Sequence, residues 1–219
     1  MLPEGAYAFF ATDSFAAAAG FIGAISGLAP EGHEPDVDIR RDGVTVLLRA
    51  FKGESYGLTR RDLNLARSIS ATARDMQLPA DPAAIQSLSI IPGARDRGGI
   101  MPFWQAVLGY DRRADSPDED LVDPHGRGAP FWFEEMKELR ADGRGTMHLV
   151  VWVPWDQAES RVAAGLAAGG RTVRHVEPEG YWTLADPAGN EVDIATTVAP
   201  GVSAATDAAE TVARDQAGK

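Results

Sequence analysis

An internal repeat in the second half of the chain constrains the fold more than any other feature of the sequence. The segment LVDPHGRGAPFWF at residues 121–133 echoes LADPAGNEVDIAT at residues 184–196. The same order of predicted elements precedes each copy: an apolar strand (85–91 and 147–153), a helix and a short strand. Repeated supersecondary units bury their apolar faces against one another. The repeat therefore predicts two successive β-α-β-β-β modules between residues 84 and 197.

The N-terminal part of the chain has a different pattern of strands and helices. An aromatic strand is predicted at residues 6–11, and a helix follows it with an apolar face formed by Phe15, Ala18, Ile22 and Ile25. Thr12, Asp13 and Ser14 are the candidates for the residue that caps this helix. The pair Asp42-Gly43 separates two strand-like runs and predicts a hairpin.

A second helix is predicted immediately after this hairpin. Thr59 and Asp62 have the three-residue spacing of a capping box, in which each side chain bonds the other residue's backbone. The predicted apolar face of this helix consists of Leu63, Ala66, Ile69 and Ala73. Residues 1–77 are therefore expected to form an α+β domain.

Composition sets the remaining boundaries of the two domains. Two prolines fall within residues 78–82, and we predict a linker at 78–83. Residues 84–197 then form the second domain. The segment 198–219 has no aromatic residue and is expected to be a disordered tail.

Charge and composition exclude several classes of partner. The formal net charge of −11 repels phosphate backbones and anionic lipid, so neither nucleic acid nor membrane is an expected partner. The absence of cysteine excludes disulfides and thiolate metal sites and suits a cytoplasmic location. No run approaches the roughly 20 apolar residues of a membrane-spanning helix.

The doubled module, together with ADPAGNEVDIAT and the histidine-led strand MHLVVWV, resembles the vicinal oxygen chelate superfamily. This superfamily includes glyoxalase I, the bleomycin-resistance proteins and extradiol dioxygenases. The resemblance covers residues 84–197 and implies that the paired modules form an open cup around a small ligand. It implies Ser87, Trp132, Trp152 and Tyr181 as candidate ligand-binding residues, and the three aromatic side chains would suit a flat organic molecule.

Some members of this superfamily hold a divalent metal ion with residues from the first and last strands of each module. The matching positions in the second module are His148 and Asp193. In the first module they are Ser87 and either Trp132 or Glu134. Ser87 is a poor ligand for transition metals, and an open catalytic site normally has at least three protein ligands. We therefore expect no cofactor and no stoichiometric transition metal, although an inward-facing Glu134 would complete a set with His148 and Asp193.

The N-terminal segment GHEPDVDIRRDGVTVLLRAF…GLTRRDLNLA resembles the pterin-4a-carbinolamine dehydratases. In these proteins helices cover one face of an antiparallel sheet, and imidazoles expel a hydroxyl group from the pterin ring. The resemblance implies catalytic roles for His33 and Asp62, and Glu34 stands where the family has a second histidine. The family's third histidine corresponds here to Phe51 or to Gly53, depending on the alignment of the loop.

Two hypotheses about function follow from these resemblances. The first is a lyase-type protein acting on a small cyclic molecule such as a pterin, with dehydratase-like or glyoxalase-like chemistry. The second is a non-catalytic protein of the bleomycin-resistance type, which sequesters an aromatic or heterocyclic compound in the cup. The sheet edge and apolar helix face of the first domain also suit a homodimer.

Overall fold

The computed structural model describes residues 2–137, 147–176, 180–185, 187 and 191–197. Contacts within the chain divide it into two compact units, Met1–Ile85 and Gln86–Lys219. The predicted tail at 198–219 and four of the five residues of the turn at 186–190 lie outside the described residues. Within the described residues, no helix is long and apolar enough to cross a membrane.

The first unit combines short strands with two helices. Its elements are β1 (Gly5–Ala11), α1 (Phe15–Ser26), β2 (Asp36–Ile39), β3 (Gly43–Arg49), β4 (Phe51–Lys52), β5 (Ser55–Tyr56) and α2 (Arg60–Asp75). Strands β1, β3 and β2 form an antiparallel sheet in that order, and β4 and β5 form a separate two-stranded hairpin. The predicted hairpin at Asp42-Gly43 is confirmed by the pairing of β2 with β3.

Both helices of this unit pack against one face of the sheet. Phe10, Val44, Val46 and Leu48 on that face form a common core with α1 and α2. Phe10 and Phe21 make an edge-to-face contact at 5.1 Å between ring centroids. Gly43 starts β3 where a Cβ atom would lie only 2.5 Å from the carbonyl oxygen of Phe10, so this position requires glycine.

The buried faces of both helices agree only in part with the predicted ones. Ala18 and Ile25 of α1 and Ile69 and Ala73 of α2 are buried as predicted. In α1 the buried residues are Ala18, Phe21 and Ile25, while Phe15 is 67% exposed. Phe15 begins the first turn, directly after Ser14, whose side chain caps the helix.

In α2 the core residue is Leu65, whereas Leu63 is 46% exposed. The helix turns this way because Asp62 is itself fully buried and defines the centre of the face. The capping box of Thr59 and Asp62 is confirmed.

The segment predicted as a linker is hydrogen-bonded to the first unit. The Asp81 backbone N–H donates to the carbonyl of Phe9 at 3.0 Å, and Ala11 donates to the carbonyl of Pro79 at 2.9 Å. A 3-10 turn at Pro82–Ala84 follows. Backbone pairing with β1 therefore holds most of residues 78–83 against the first unit.

The second unit contains the repeated modules. The first module comprises β6 (Ser87–Ala94), α3 (Arg97–Leu108), β7 (Asp111–Arg112), β8 (Asp120–Val122), β9 (Phe131–Trp132) and β10 (Glu134–Glu135). The second comprises β11 (Met147–Trp152), α4 (Trp155–Ala167), β12 (Arg171–Val176), β13 (Tyr181–Ala185) and β14 (Glu191–Ala195).

The order of strands in the large sheet is symmetrical about its centre. It reads β12-β13-β14-β11-β6-β9-β8-β7, so each module runs outward from its own first strand through its last. The two first strands, β6 and β11, pair antiparallel with each other. Each also pairs parallel with its module's last strand, β9 and β14 respectively. This mixed sheet gives the unit an α+β fold with the predicted βαβββ repeat.

The two faces of this sheet have different roles. Helix α3 packs on one face against Phe131 and Phe133, and α4 packs against Leu184 and Ile194. Because side chains alternate along a strand, the intervening residues point to the other face. We call this second face the inner face; it is made by Ser87, Ser89 and Ile91 of β6, Trp132 of β9, Glu134 of β10, His148, Val150 and Trp152 of β11, and Tyr181, Thr183 and Asp193 of β13 and β14.

Candidate functional site

The centre of the inner face is fixed by the pairing of β6 with β11. His148, Val150 and Trp152 lie directly opposite Ile91, Ser89 and Ser87. The parallel neighbour β14 places Asp193 beside Val150. The same register brings together the four predicted ligand-binding residues, because Ser87 faces Trp152 and an apolar cluster joins Trp132, Trp152 and Tyr181.

Asp193 is the best-connected polar residue of the inner face. It is 4% exposed, and its Oδ1 accepts a hydrogen bond of 2.7 Å from the hydroxyl of Thr183. The Tyr181 hydroxyl also hydrogen-bonds to Asp193, and burial, followed by the charge of Asp193, raises the pKa of that hydroxyl. These bonds hold the carboxylate in a fixed position on the face.

Two further ionisable groups share the inner face with Asp193. The Nε2 atom of His148 lies 3.6 Å from Oδ2 of Asp193, and burial lowers the pKa of the imidazole against the opposing charges of Asp193 and Glu191. Glu134 is 5% exposed, and burial together with the charge of Asp193 raises the pKa of its carboxyl group. The groups predicted as metal ligands therefore occupy one face of the sheet.

These groups do not converge tightly enough to fit a metal ion. Among the described residues, no three His, Cys, Asp or Glu side chains form a group that could hold one. Ser87, at the other predicted position, is a poor ligand for transition metals. The donor set of the described residues thus departs from the set that the resemblance implies for metal-dependent superfamily members.

Two buried nitrogen atoms of the inner face have no hydrogen-bond partner among the described residues. They are Nε2 of His148 and Nε1 of Trp152. Burying a polar nitrogen without a partner costs on the order of 1–3 kcal/mol, and native proteins rarely leave such atoms unpaired. The indole N–H is a donor only, so its partner has to be an acceptor. Both atoms belong to β11 and point to the same face, which marks the inner face as a place for a bound molecule.

A second group of polar side chains lies in the first unit. Asp62 Oδ1 accepts hydrogen bonds from Nδ1 of His33 at 2.8 Å and from Nζ of Lys52 at 2.6 Å. Its Oδ2 accepts from the backbone N–H and the hydroxyl of Thr59, at 2.8 and 2.7 Å. Burial alone would raise the pKa of this carboxyl, but the bonds from Lys52, His33 and Thr59 outweigh it and hold the pKa well below its ordinary value.

Three separate elements bring this group together. His33 follows a turn in which Gly32 has a positive φ of 76°, Lys52 ends β4 just before the tight turn at Gly53, and Asp62 lies in the first turn of α2. His33 and Asp62, the two residues to which the resemblance gives catalytic roles, thus lie together in the structure. Glu34 lies elsewhere, because its carboxylate is exposed and accepts the backbone N–H of Gly32 at 3.2 Å.

Sequence reasoning missed Lys52. The two alignments of the loop left Phe51 or Gly53 in place of the family's third histidine, and Lys52 lies between them. Its ammonium group donates to Oδ1 of Asp62 at 2.6 Å and lies 3.0 Å from Nδ1 of His33. The sequence signal that could have identified Lys52 is that a basic residue stands between the two positions that the alignments give for the third histidine.

Comparisons with known proteins identify the class of the second unit. Residues 89–195 match the family model described as a glyoxalase-like domain. The C-terminal unit therefore contains a glyoxalase-like domain. No curated protein matches the chain.

Solved structures with a similar fold each cover about half of the chain. A glyoxalase/bleomycin resistance protein/dioxygenase superfamily member from Vibrio splendidus is 13% identical, with 51% of this chain and 99% of that chain covered and a TM-score of 0.33. A lactoylglutathione lyase from Agrobacterium tumefaciens is 19% identical over 52% of this chain and 94% of its own, with a TM-score of 0.22. A structure described as an NAD-dependent benzaldehyde dehydrogenase from Legionella pneumophila is 12% identical over 50% and 97%, with a TM-score of 0.37. The dehydratase resemblance of the first unit stays a prediction.

Proposed function

We propose that the protein binds a flat organic molecule on the inner face of its glyoxalase-like domain. The observation that carries this proposal is the buried N–H of Trp152, which has no acceptor among the residues that the structure describes, on a face that Trp132 and Tyr181 make aromatic. Aromatic side chains supply the contact area for a flat ring, and the few polar groups set its orientation. The ligand presents an acceptor, such as a carbonyl oxygen or a ring nitrogen, to the indole N–H.

Replacing Trp152 with Phe tests this proposal, because Phe keeps an aromatic ring and removes the indole N–H. We expect ring compounds that carry a carbonyl group to raise the melting temperature of the wild-type protein, since a ligand that binds only the native state stabilises it. In Trp152→Phe we expect the affinity for the best of these compounds to fall by about 5- to 10-fold, the equivalent of one hydrogen bond. The measurement is a thermal-shift screen of pterins, quinoline carboxamides and aromatic antibiotics, followed by calorimetric titration.

The matched control is Trp155→Phe on α4, because Trp155 is 41% exposed and lies outside the inner face. This variant should bind like the wild type. If none of the ring compounds shifts the melting temperature, the proposed function is wrong. If Trp152→Phe binds as tightly as the wild type, the assigned role of Trp152 is wrong.

The hydrogen-bonded group in the first unit supports a second candidate function, the acid–base loss of water from a cyclic substrate. His33 Nδ1 is oriented by the buried Asp62 carboxylate, which leaves Nε2 as the atom that can exchange a proton with a substrate. In the lyase-type reaction that the dehydratase resemblance implies, the protonated imidazole would give its Nε2 proton to the departing hydroxyl group, whose C–O bond breaks to release water. The neutral Nε2 would then take up the proton that the adjacent nitrogen of the carbinolamine loses as the C=N bond forms. Asp62 would hold the ring in place throughout.

Exchanging His33 for Gln tests this second candidate. With a pterin carbinolamine as substrate, we expect the wild-type protein to accelerate the loss of water, followed by absorbance. The rate in His33→Gln should fall by at least about 100-fold, the usual contribution of a general acid–base group. His125→Gln, which changes an exposed histidine of the second unit, is the control. A wild-type rate equal to that of buffer alone would eliminate the dehydratase reaction.

A further inference from the structure

We propose that the inner face selects organic cations, and that the carboxylates of Asp193 and Glu134 stabilise a positively charged ring rather than a metal ion. This inference rests on the proposed function, because it names the chemical class of the molecule that the inner face binds. It is carried by the charges on that face, by their spacing and by the aromatic side chains around them.

The charges at the His148 end of the inner face are negative. Asp193 and Glu134 are 4% and 5% exposed, so both carboxyl groups are largely removed from water. Among the described residues, the charge of Asp193 acts on Glu134, and the charges of Asp193 and Glu191 act on His148. The positive charge of Arg174, which has a partner of its own, acts on Tyr181. A cation bound near Glu134 and Asp193 would relieve the repulsion between the two carboxyl groups.

The spacing of the carboxyl groups favours an organic cation over a metal ion. A metal site needs at least three donors within about 2.0–2.6 Å of one point. No three His, Cys, Asp or Glu side chains of the described residues meet this requirement. A cation whose charge is spread over a ring does not need donors that converge on one point. Carboxylates at several positions on the inner face can each interact with such a charge.

The aromatic residues of the inner face fit the same kind of ligand. Trp132, Trp152 and Tyr181 belong to one packed cluster. The negative face of an aromatic ring attracts a cation, and Trp does so most strongly. The ligand is therefore a flat ring that carries a positive charge toward Glu134 and Asp193 and an acceptor toward the N–H of Trp152.

Three quinoline derivatives with one ring system and three charges test the inference. They are quinoline-3-carboxamide, which is neutral, its N-methylated quinolinium salt, and the anion quinoline-3-carboxylate. Titration calorimetry of the full chain is carried out at pH 7 in the presence of EDTA, which excludes binding through a metal ion. We expect the quinolinium salt to bind about tenfold more tightly than the neutral carboxamide, and the carboxylate to bind most weakly.

Asp193→Asn and Glu134→Gln remove one charge each without a change of shape, and a loss of the preference for the cation in either variant supports the inference. Glu159→Gln, at an exposed position of α4, removes one charge elsewhere in the same unit and should leave the preference unchanged. If the neutral or anionic compound binds as tightly as the cation, the inference is wrong while the proposed function stands. The titrations are repeated without EDTA, and a preference for the cation that is seen only then also overturns the inference, in favour of a metal ion. If none of the three binds, the inference is wrong, and the thermal-shift screen of the other ring compounds decides the proposed function separately.

Discussion

The variant Phe133→Ala is expected to destabilise the second unit by about 3–5 kcal/mol. Phe133 is fully buried between α3 and the sheet, where it packs with Met101, Leu121 and Phe131. Truncation removes the ring and leaves a cavity, because the strand that carries Phe133 is held by a 2.7 Å hydrogen bond from its backbone N–H to the carbonyl of Glu119. All five tryptophans of the chain lie between residues 104 and 182, so urea unfolding followed by tryptophan fluorescence reports on this unit.

Phe103→Ala is the matched control for this prediction. Phe103 belongs to the same module but is 62% exposed, and its main neighbour is Trp104 at 5.6 Å between ring centroids. We expect a loss of less than about 1 kcal/mol. Equal effects of the two substitutions would contradict the alternation that places Phe133 on the helix-covered face and Glu134 on the inner face.

A loss of about 2–4 kcal/mol is expected for Asp62→Asn in the first unit. The carboxylate accepts hydrogen bonds from His33 and Lys52 on one oxygen and from Thr59 on the other. An amide of the same shape can accept on one side only, so its NH₂ group faces either the Thr59 N–H or the two side-chain donors. Unfolding is followed by circular dichroism, because the first unit contains no tryptophan.

The contribution of Asp62 to stability depends on pH in a definite direction. Its folded pKa lies below its ordinary value, so the unfolded chain binds a proton at a higher pH than the folded one. The stabilisation is therefore fully present above the ordinary aspartate value of about 3.9 and is lost as the pH falls from there through the folded pKa. Asp62→Asn should remove this part of the acid destabilisation. Asp38→Asn, which breaks an exposed ion pair with Arg40, should change the stability by less than about 1 kcal/mol and keep the acid response.

The sequence predicted the architecture of the second unit because a repeat constrains topology directly. Two copies of one β-α-β-β-β order lead to a sheet that is symmetrical about β6 and β11. This strand order could be predicted without knowing the position of any individual side chain. The alternation of residues along β11 then sufficed to put His148 and Trp152 on one face.

The faces of the helices were harder to predict because a buried polar group decided one of them. Hydrophobic periodicity favoured Leu63 as a core residue of α2. The ion pairs of Asp62 instead turn Asp62 inward, and this orientation of the helix brings Leu65 into the core. Periodicity assigns charged residues to solvent, so it cannot anticipate a helix whose buried face contains a carboxylate.

The composition of each candidate site could be predicted only in part. His33 and Asp62 were identified through the residue pattern, whereas Lys52 was missed because its contact with both depends on the length of the loop before α2. On the inner face, the residue types permitted a metal site, and only distances between side chains could show how far the donors are from convergence. Sequence patterns report residue types and spacing, and sites depend on angles and distances that are set by tertiary packing.

A crystal structure of the protein with its best-binding ring compound tests the central claim most directly. We expect density for the ring on the inner face, with an acceptor atom within about 2.7–3.2 Å of Nε1 of Trp152, which has no partner among the described residues. Density for the compound on the helix-covered face, or in the first unit with the Trp152 N–H still unpaired, would contradict it.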